Sequence, residues 1–245
     1  MQINILNNPE ELGAQAADAA AAYLNACIAR TGHARIVLST GASQFQFYEH
    51  FVRQPVDWRK VEMFHLDEYI GLPVEHPASF RRYLQERFLS KVPIGSFHLV
   101  DGEGDPDVVI AQLEAEAAKA PFDLGMIGIG ENAHIAFNDP PADFHTAKAY
   151  KIVFLDDDCK RQQVREGWFA SPEEVPSRAI TMTVKAIMGC RKIISCVPHL
   201  AKAKAVANVL ENDVTPDIPA TILKRHADWT LYLDRESASL LPIRI

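Results

Sequence analysis

FDLGMIGIG, residues 122–130, is the stretch on which the reading of this chain turns. After Asp123 it is uninterrupted by charge, and it closes on Gly128 and Gly130. A short continuous apolar run that ends in turn residues reads as a strand buried on both faces, as in parallel sheets. The glycines place a tight turn at its carboxyl end.

Similar runs occur on either side. Residues 35–39 (RIVLS), 61–66 (VEMFHL) and 97–100 precede it, and residues 152–155, 180–183, 192–197 and 230–233 follow. Helical stretches separate many of them. Residues 9–30 are Ala-rich with apolar side chains at helical spacing, and Gly32 offers a stop. Residues 43–52 and 79–89 also read as helices. Asp105-Pro106 opens another that runs to near residue 120, and residues 200–210 are rich in Ala and Lys. Strand and helix in alternation imply right-handed crossovers and a mostly parallel sheet. The expected fold is α/β: a doubly wound, three-layer, Rossmann-like arrangement, with one domain over residues 1–245. No internal repeat, low-complexity linker or charge block interrupts it.

At 245 residues the chain can bury a large core, and 48% hydrophobic against 23% charged residues argues against disorder. The net charge of -7 disfavours nucleic acid, whose phosphates would be repelled on average, but leaves room for a small anionic substrate. Cys27, Cys159, Cys190 and Cys196 lie far apart without a CxxC pair, so buried free thiols are expected rather than a disulfide scaffold or zinc knuckle. The first residues, MQINILNNPEEL, do not read as a signal peptide, and no apolar run approaches the roughly 20 residues that cross a bilayer. These features predict a soluble, cytoplasmic protein with no membrane or nucleic-acid partner. They do not set its oligomeric state, and a homo-oligomer is allowed.

Doubly wound sheets bind ligands at the carboxyl ends of their strands, where strand order switches. Three segments there carry polar groups. STGAS, Ser39 to Ser43, joins a strand to a helix; its small residues let backbone amides approach an anion. An ordinary tight turn explains that segment equally well. HLDEY, His65 to Tyr69, ends a strand with two adjacent carboxylates, which alternation sends to opposite sides. One can face a crevice as a base while the other anchors structure, although an isolated pair is more often solvated. GIGENAHIAFNDP, residues 128–140, gathers Glu131, Asn132, His134, Asn138 and Asp139 into one glycine-led turn. A histidine between an amide and a carboxylate suits general acid–base work, because its neighbours set tautomer and charge. Burial alone does not explain five polar groups at the end of an apolar strand. Lys160, Arg161, Lys202 and Lys204 add positive charge on stretches that read as solvated helix faces unless they point into the crevice.

At these residues the chain resembles the glucosamine-6-phosphate deaminase (isomerase) family, related to the 6-phosphogluconolactonases. STGAS, LDEYIGLP with HPASF, GIGENAHIAFNDP and KAKAV at Lys202 occur in the family's order and spacing. The likeness spans residues 36–233, and LDEY with HIAFN is its specific combination. It implies aldose–ketose isomerisation with deamination of an amino-sugar 6-phosphate, without a nicotinamide or metal cofactor. His134 would shuttle the ring-opening proton, and Asp67 would move a proton from C2 to C1. Thr40, Gly41, Ala42 and Ser43 would hold the phosphate, with Arg161 and Lys202 closing on it.

Three residues depart from the family pattern. GNDGH is the usual turn, and here it is GENAH. Asn132 stands for the acidic partner and can hydrogen-bond the imidazole without stabilising its cation. Asp139 stands for a Glu one methylene longer, and Ala133 for a glycine, where positive φ is disfavoured. These changes leave open slower ring opening, a different hexosamine epimer, or Glu131 in the lost role. A lactonase acting on a sugar-acid phosphate and a sugar-phosphate-binding protein with impaired turnover are the alternatives; Asn132 favours the latter.

Overall fold

The computed structural model describes residues 1–242, with the backbone but not the side chain of Asp158. Ten strands form, β1 (Gln2–Leu6), β2 (Ala34–Leu38), β3 (Val61–His65), β4 (Asp67–Tyr69), β5 (Ser96–His98), β6 (Leu124–Met126), β7 (Tyr150–Phe154), β8 (Arg178–Met182), β9 (Lys192–Val197) and β10 (Trp229–Asp234). The α-helices are α1 (Pro9–Thr31), α2 (Phe45–Phe51), α3 (Phe80–Leu84), α4 (Pro106–Ala117), α5 (Asp157–Arg165), α6 (Val184–Met188) and α7 (Ala203–Glu211).

Seven strands make one sheet in the order β1-β10-β9-β6-β2-β3-β5, with every neighbouring pair parallel. Both faces are covered, as the apolar runs predict. Val37, Phe64, Ile193 and Leu231 pack with Val109 and Leu113 of α4, Ile187 of α6 and Val206 of α7. Their sequence neighbours Leu38, Met63, Ile194 and Tyr232 pack on the other side, with Leu12 and Leu24 of α1, Phe47 of α2 and Tyr83 of α3. Residue-by-residue alternation between two cores is the mark of a central sheet in a three-layer fold.

Helix α1 shows how local chemistry sets these elements. Asn8 caps it by accepting from the Glu11 amide, Pro9 occupies its first turn, and Gly32 ends it at φ 83°. Elsewhere the boundaries are those expected to within a few residues; the helix expected over 79–89 runs as α3 and continues as a π-helical turn, Gln85–Leu89. The helix predicted from residue 200 opens with a 3₁₀ turn, Leu200–Lys202, before α7.

Two expectations need correction. Residues 152–155 and 180–183 lie in β7 and β8 but do not join the main sheet. They form an antiparallel sheet of three with β4, in the order β4-β8-β7. Within FDLGMIGIG only Leu124–Met126 is strand. Ile127 still donates its amide to the Ile194 carbonyl, and the chain then leaves the sheet. Periodicity registers burial, and Ile127 and Ile129 are buried without strand pairing. Strand β1 was not foreseen, because this edge strand leaves Ile3 and Ile5 exposed.

The consequence for the site is topological. From β2 the chain builds outward through β3 to β5; from β6 it builds the other way through β9 to β10. Strand order therefore switches between β2 and β6, and their carboxyl ends open a crevice there. Among the described residues, no helix is long and apolar enough to cross a membrane.

Candidate active site

The loop after β2 enters the crevice first. Gly41 takes φ 102° and ψ 164°, backbone that favours glycine, and a 3₁₀ turn of Ala42–Gln44 follows and runs into α2. The first amides of such a turn have no partner within it and can meet an anion. Its carbonyls are tied back: Tyr48 Oη donates to Ser39 O at 2.7 Å, and Tyr83 Oη to Gly41 O at 2.9 Å. Buried Gln44 donates from Nε2 to Ser43 Oγ and to Cys196 O on β9, at 2.9 and 3.0 Å.

Asp67 and Glu68 stand on β4 and point to opposite sides. Asp67 lines the crevice although it is only 5% exposed. Burial, then the neighbouring Glu68 charge, push its carboxyl well above the ordinary carboxylate value; the Phe137 amide opposes this and Asp139 adds to it. Glu68 is the anchor. It accepts from Ser79 Oγ at 2.9 Å and from the amides of Tyr69, Phe80 and Arg81 at 3.0, 3.2 and 2.8 Å. Its Oε2 lies 3.3 Å from Arg81 Nε, and Arg81 also reaches Asp101 and Glu103, each at 2.9 Å. This network secures the short sheet to α3.

His134 sits in the turn after β6, which closes on itself through the Gly130 amide to His134 O (2.9 Å) and the Ala133 amide to Gly130 O (3.0 Å). The imidazole lies over the Gly130 Cα; a Cβ there would come within 2.2 Å of Nε2, so any side chain at this position would have to displace the ring. Ala133 takes φ 67° in spite of its Cβ. The expected contact between Asn132 and the imidazole is absent, which corrects the sequence reading. Asn132 instead accepts the His134 amide at 3.0 Å and donates from Nδ2 to Asp139 Oδ1 at 3.0 Å. Asp139 faces the imidazole, with Oδ1 3.0 Å from Nδ1. The contact lies off the line of a good hydrogen bond, and it is an ion pair only when the imidazole is protonated. Burial alone would raise the Asp139 carboxyl, but contacts with His134, Asn132 and Cys159 outweigh it and hold it below its ordinary value. Asn138 is a staple: its Nδ2 donates to Ile135 O and Met182 O, both at 2.9 Å.

Lys202 closes the far side from the turn before α7. It is 9% exposed and lines the crevice, and burial lowers its ammonium while nearby Glu166 and Glu131 oppose the fall. Among the described residues, no carboxylate comes within ion-pair distance of it. Lys204 is exposed.

These elements enclose a cavity of about 210 Å³. Thr40, Gly41, Ala42, Ser43, Asp67, His134 and Lys202 line it, and Asn132 and Asp139 stand behind the imidazole. Arg161 is not brought in; it is exposed on α5, while its neighbours Gln162 and Gln163 line the wall. Sequence reasoning missed those two, Glu166, Trp168 and His199, all of which line the cavity. Only the helical phase of α5 identifies Gln162 and Gln163, and a single sequence does not reveal it. Two further groups bring metal-ligating atoms within 4.8 Å, Glu62 with His98 and Glu116, and His199 with Asp234 and Glu236. Protein donors already engage them: Arg35 Nε lies 2.7 Å from Glu62, and the amides of His199 and Ser237 donate to Asp234 at 3.0 and 2.7 Å.

A buried carboxylate and a carboxylate-backed imidazole thus share a small cavity with a lysine and an amide-rich turn. Such a set can move protons on a ligand whose anionic group rests in the turn. Residues 7–232 match the family model described as glucosamine-6-phosphate isomerases/6-phosphogluconolactonase. A glucosamine-6-phosphate deaminase of Exiguobacterium sibiricum is 38% identical over 213 residues, covering 84% of this chain and 81% of that one. One from Lactobacillus delbrueckii subsp. bulgaricus is 32% identical over 242 residues, covering 98% and 100%. A solved monomeric glucosamine-6-phosphate deaminase superposes with a TM-score of 0.88 at 28% identity, covering 98% of this chain and 100% of that one. A 6-phosphogluconolactonase from Thermotoga maritima shares the fold, with a TM-score of 0.78 at 18% identity and 95% and 98% coverage.

Proposed function

This chain belongs to the family of glucosamine-6-phosphate isomerases and 6-phosphogluconolactonases, and from that premise we propose that it converts glucosamine 6-phosphate and water to fructose 6-phosphate and ammonia. The observation that carries this reading is that Asp67 and His134 line one cavity from the ends of separate strands, with Lys202 in the same lining.

The phosphate rests on Thr40, Gly41, Ala42 and Ser43, and Lys202, a buried ammonium with no carboxylate at ion-pair distance among the described residues, supplies positive charge to it. His134, backed by Asp139 at Nδ1, carries the proton between the ring oxygen and the C1 hydroxyl as the ring opens. Only then does the C1 carbonyl acidify C2. Asp67 removes the C2 proton, the bonding pair forms the C1–C2 double bond, and the carbonyl oxygen takes a proton from the substrate's own ammonium to give an enolamine; the same carboxyl then returns its proton to C1. Water adds to the resulting C2 iminium, and ammonia leaves with the carbon–nitrogen bond. Asn132 holds Asp139 in place, so the amide that favoured a turnover-impaired protein has a structural task here.

Asp67, Glu131 and Glu166 all line the cavity, a surplus of carboxylates that suits an amino sugar better than a lactone, which brings no cation. Four buried free thiols accord with a cytoplasmic setting. An ammonia-release assay with glucosamine, galactosamine and N-acetylglucosamine 6-phosphates, run beside a lactone-opening assay, tests the assignment. Ammonia from glucosamine 6-phosphate is the expected result. Lactone opening without any ammonia overturns it.

A further inference from the structure

Glu131 occupies the position next to Gly130 in the turn that carries His134, and its side chain reaches the cavity wall. Its Oε2 lies 2.9 Å from Nη2 of Arg165, the last residue of α5. Glu131 is partly buried and Arg165 mostly exposed, so the pair sits at the rim. Glu131 also lies within electrostatic reach of buried Lys202, as does Glu166. The carboxylate thus holds one cation at the mouth and shares the cavity lining with a second.

We propose that Glu131 is a specificity-determining residue, an internal rival for the cations that an incoming phosphate needs. The inference rests on reading this cavity as a sugar-phosphate site. A single carboxylate on a ligand carries the same charge as Glu131 and gains little by displacing it from Arg165. A phosphate monoester carries about -1.5 to -2 at neutral pH and three acceptor oxygens, and it displaces Glu131 by charge and by geometry. The freed guanidinium turns to the phosphate, and α5, which contributes Gln162 and Gln163 to the wall and is followed there by Glu166, is linked to the same event. Affinity for every anion is lowered, and discrimination in favour of phosphate esters is raised.

Equilibrium titration tests this without relying on turnover, with glucose 6-phosphate and gluconate as probes against wild type, E131Q, R165Q and E131Q/R165Q. For E131Q the expected outcome is glucose 6-phosphate binding about two- to fivefold tighter, the range that a rim ion pair commands. Gluconate should gain more, so the preference for phosphate narrows. In the R165Q background the gain should shrink to what remains through Lys202. Unchanged or weaker binding by E131Q overturns the proposal and leaves the sugar-phosphate reading standing. A gain of equal size with and without Arg165 overturns it too. A fall in thermal stability with no change in affinity makes the pair a structural clasp. If no variant binds glucose 6-phosphate, both the proposal and the reading beneath it fall.

Discussion

At the scale of single residues, the carboxylate beside the imidazole comes from five positions further along the chain and not from the residue two before it. The imidazole has a carboxylate partner, Asp139, and Asn132 fixes that partner instead of the ring. Asp139→Asn should therefore lower kcat by about 10²–10⁴, the contribution of positioned acid–base catalysis, with a smaller effect on KM; steady-state kinetics with glucosamine 6-phosphate measures it. Asp67 yields two predictions of related origin. As the proposed base it must be ionised, and its carboxyl is raised by burial and by Glu68, so the acid limb of kcat/KM should lie above the ordinary carboxylate range. A limb near pH 4 would contradict this. Because the folded state holds that proton more tightly than the unfolded chain, the stabilising effect of protonated Asp67 is present below the unfolded value. It is lost as pH rises through the raised folded one. Asp67→Asn removes the buried charge. It should abolish ammonia release while raising Tm at pH 8 by about 2–4 °C, the shift that 1 kcal/mol makes in a chain of this size. Calorimetry of the variant decides it.

At the scale of elements, two short pieces place the chemistry. Strand β4 is three residues long, and its pleat alone sends Asp67 into the cavity and Glu68 into the Arg81 network. The turn after β6 is the other. It accepts an alanine at φ 67° but has no room for a side chain at Gly130. Gly130→Ala should push the imidazole off its seat, with a loss in kcat of at least about 10²-fold from misplacement of roughly 1 Å. A variant of normal kcat would show that the imidazole's position is not critical.

At the scale of the whole molecule, the sheet is buried on both sides, and the small sheet shares its core. Tyr150, Ile180 and Met182 pack in the same cluster as Val37 and Leu231 of the large one. We propose on this basis that the chain behaves as one cooperative unit. All four cysteines are buried free thiols, and burial pushes the Cys190 thiol up to about 12. Native protein should give almost no reaction with a thiol reagent, and four thiols should appear together across the same denaturant range as the loss of tryptophan fluorescence. Stepwise exposure would argue for separately unfolding parts.

How much of this was legible in the linear chain follows from the range of each interaction. Side-chain periodicity and capping are local, so α1, α4, the central strands and the parallel architecture were readable from spacing, Asn8, Pro9, Asp105 and Gly32. The residues Thr40 to Ser43, Asp67, His134 and Lys202 were also readable as candidates, because chemistry collects after strand ends. Apolar runs do not say which sheet a strand joins, so β7 and β8 were misplaced, and the phase of α5 put Gln162 and Gln163 where Arg161 was expected. Local sequence therefore determined the elements and the kinds of groups available. The pairing of His134 with Asp139, the rim contact of Glu131 with Arg165 and the company around Lys202 were decided only by tertiary structure. Each depends on distances of a few ångströms between side chains whose backbones are brought together by the whole fold.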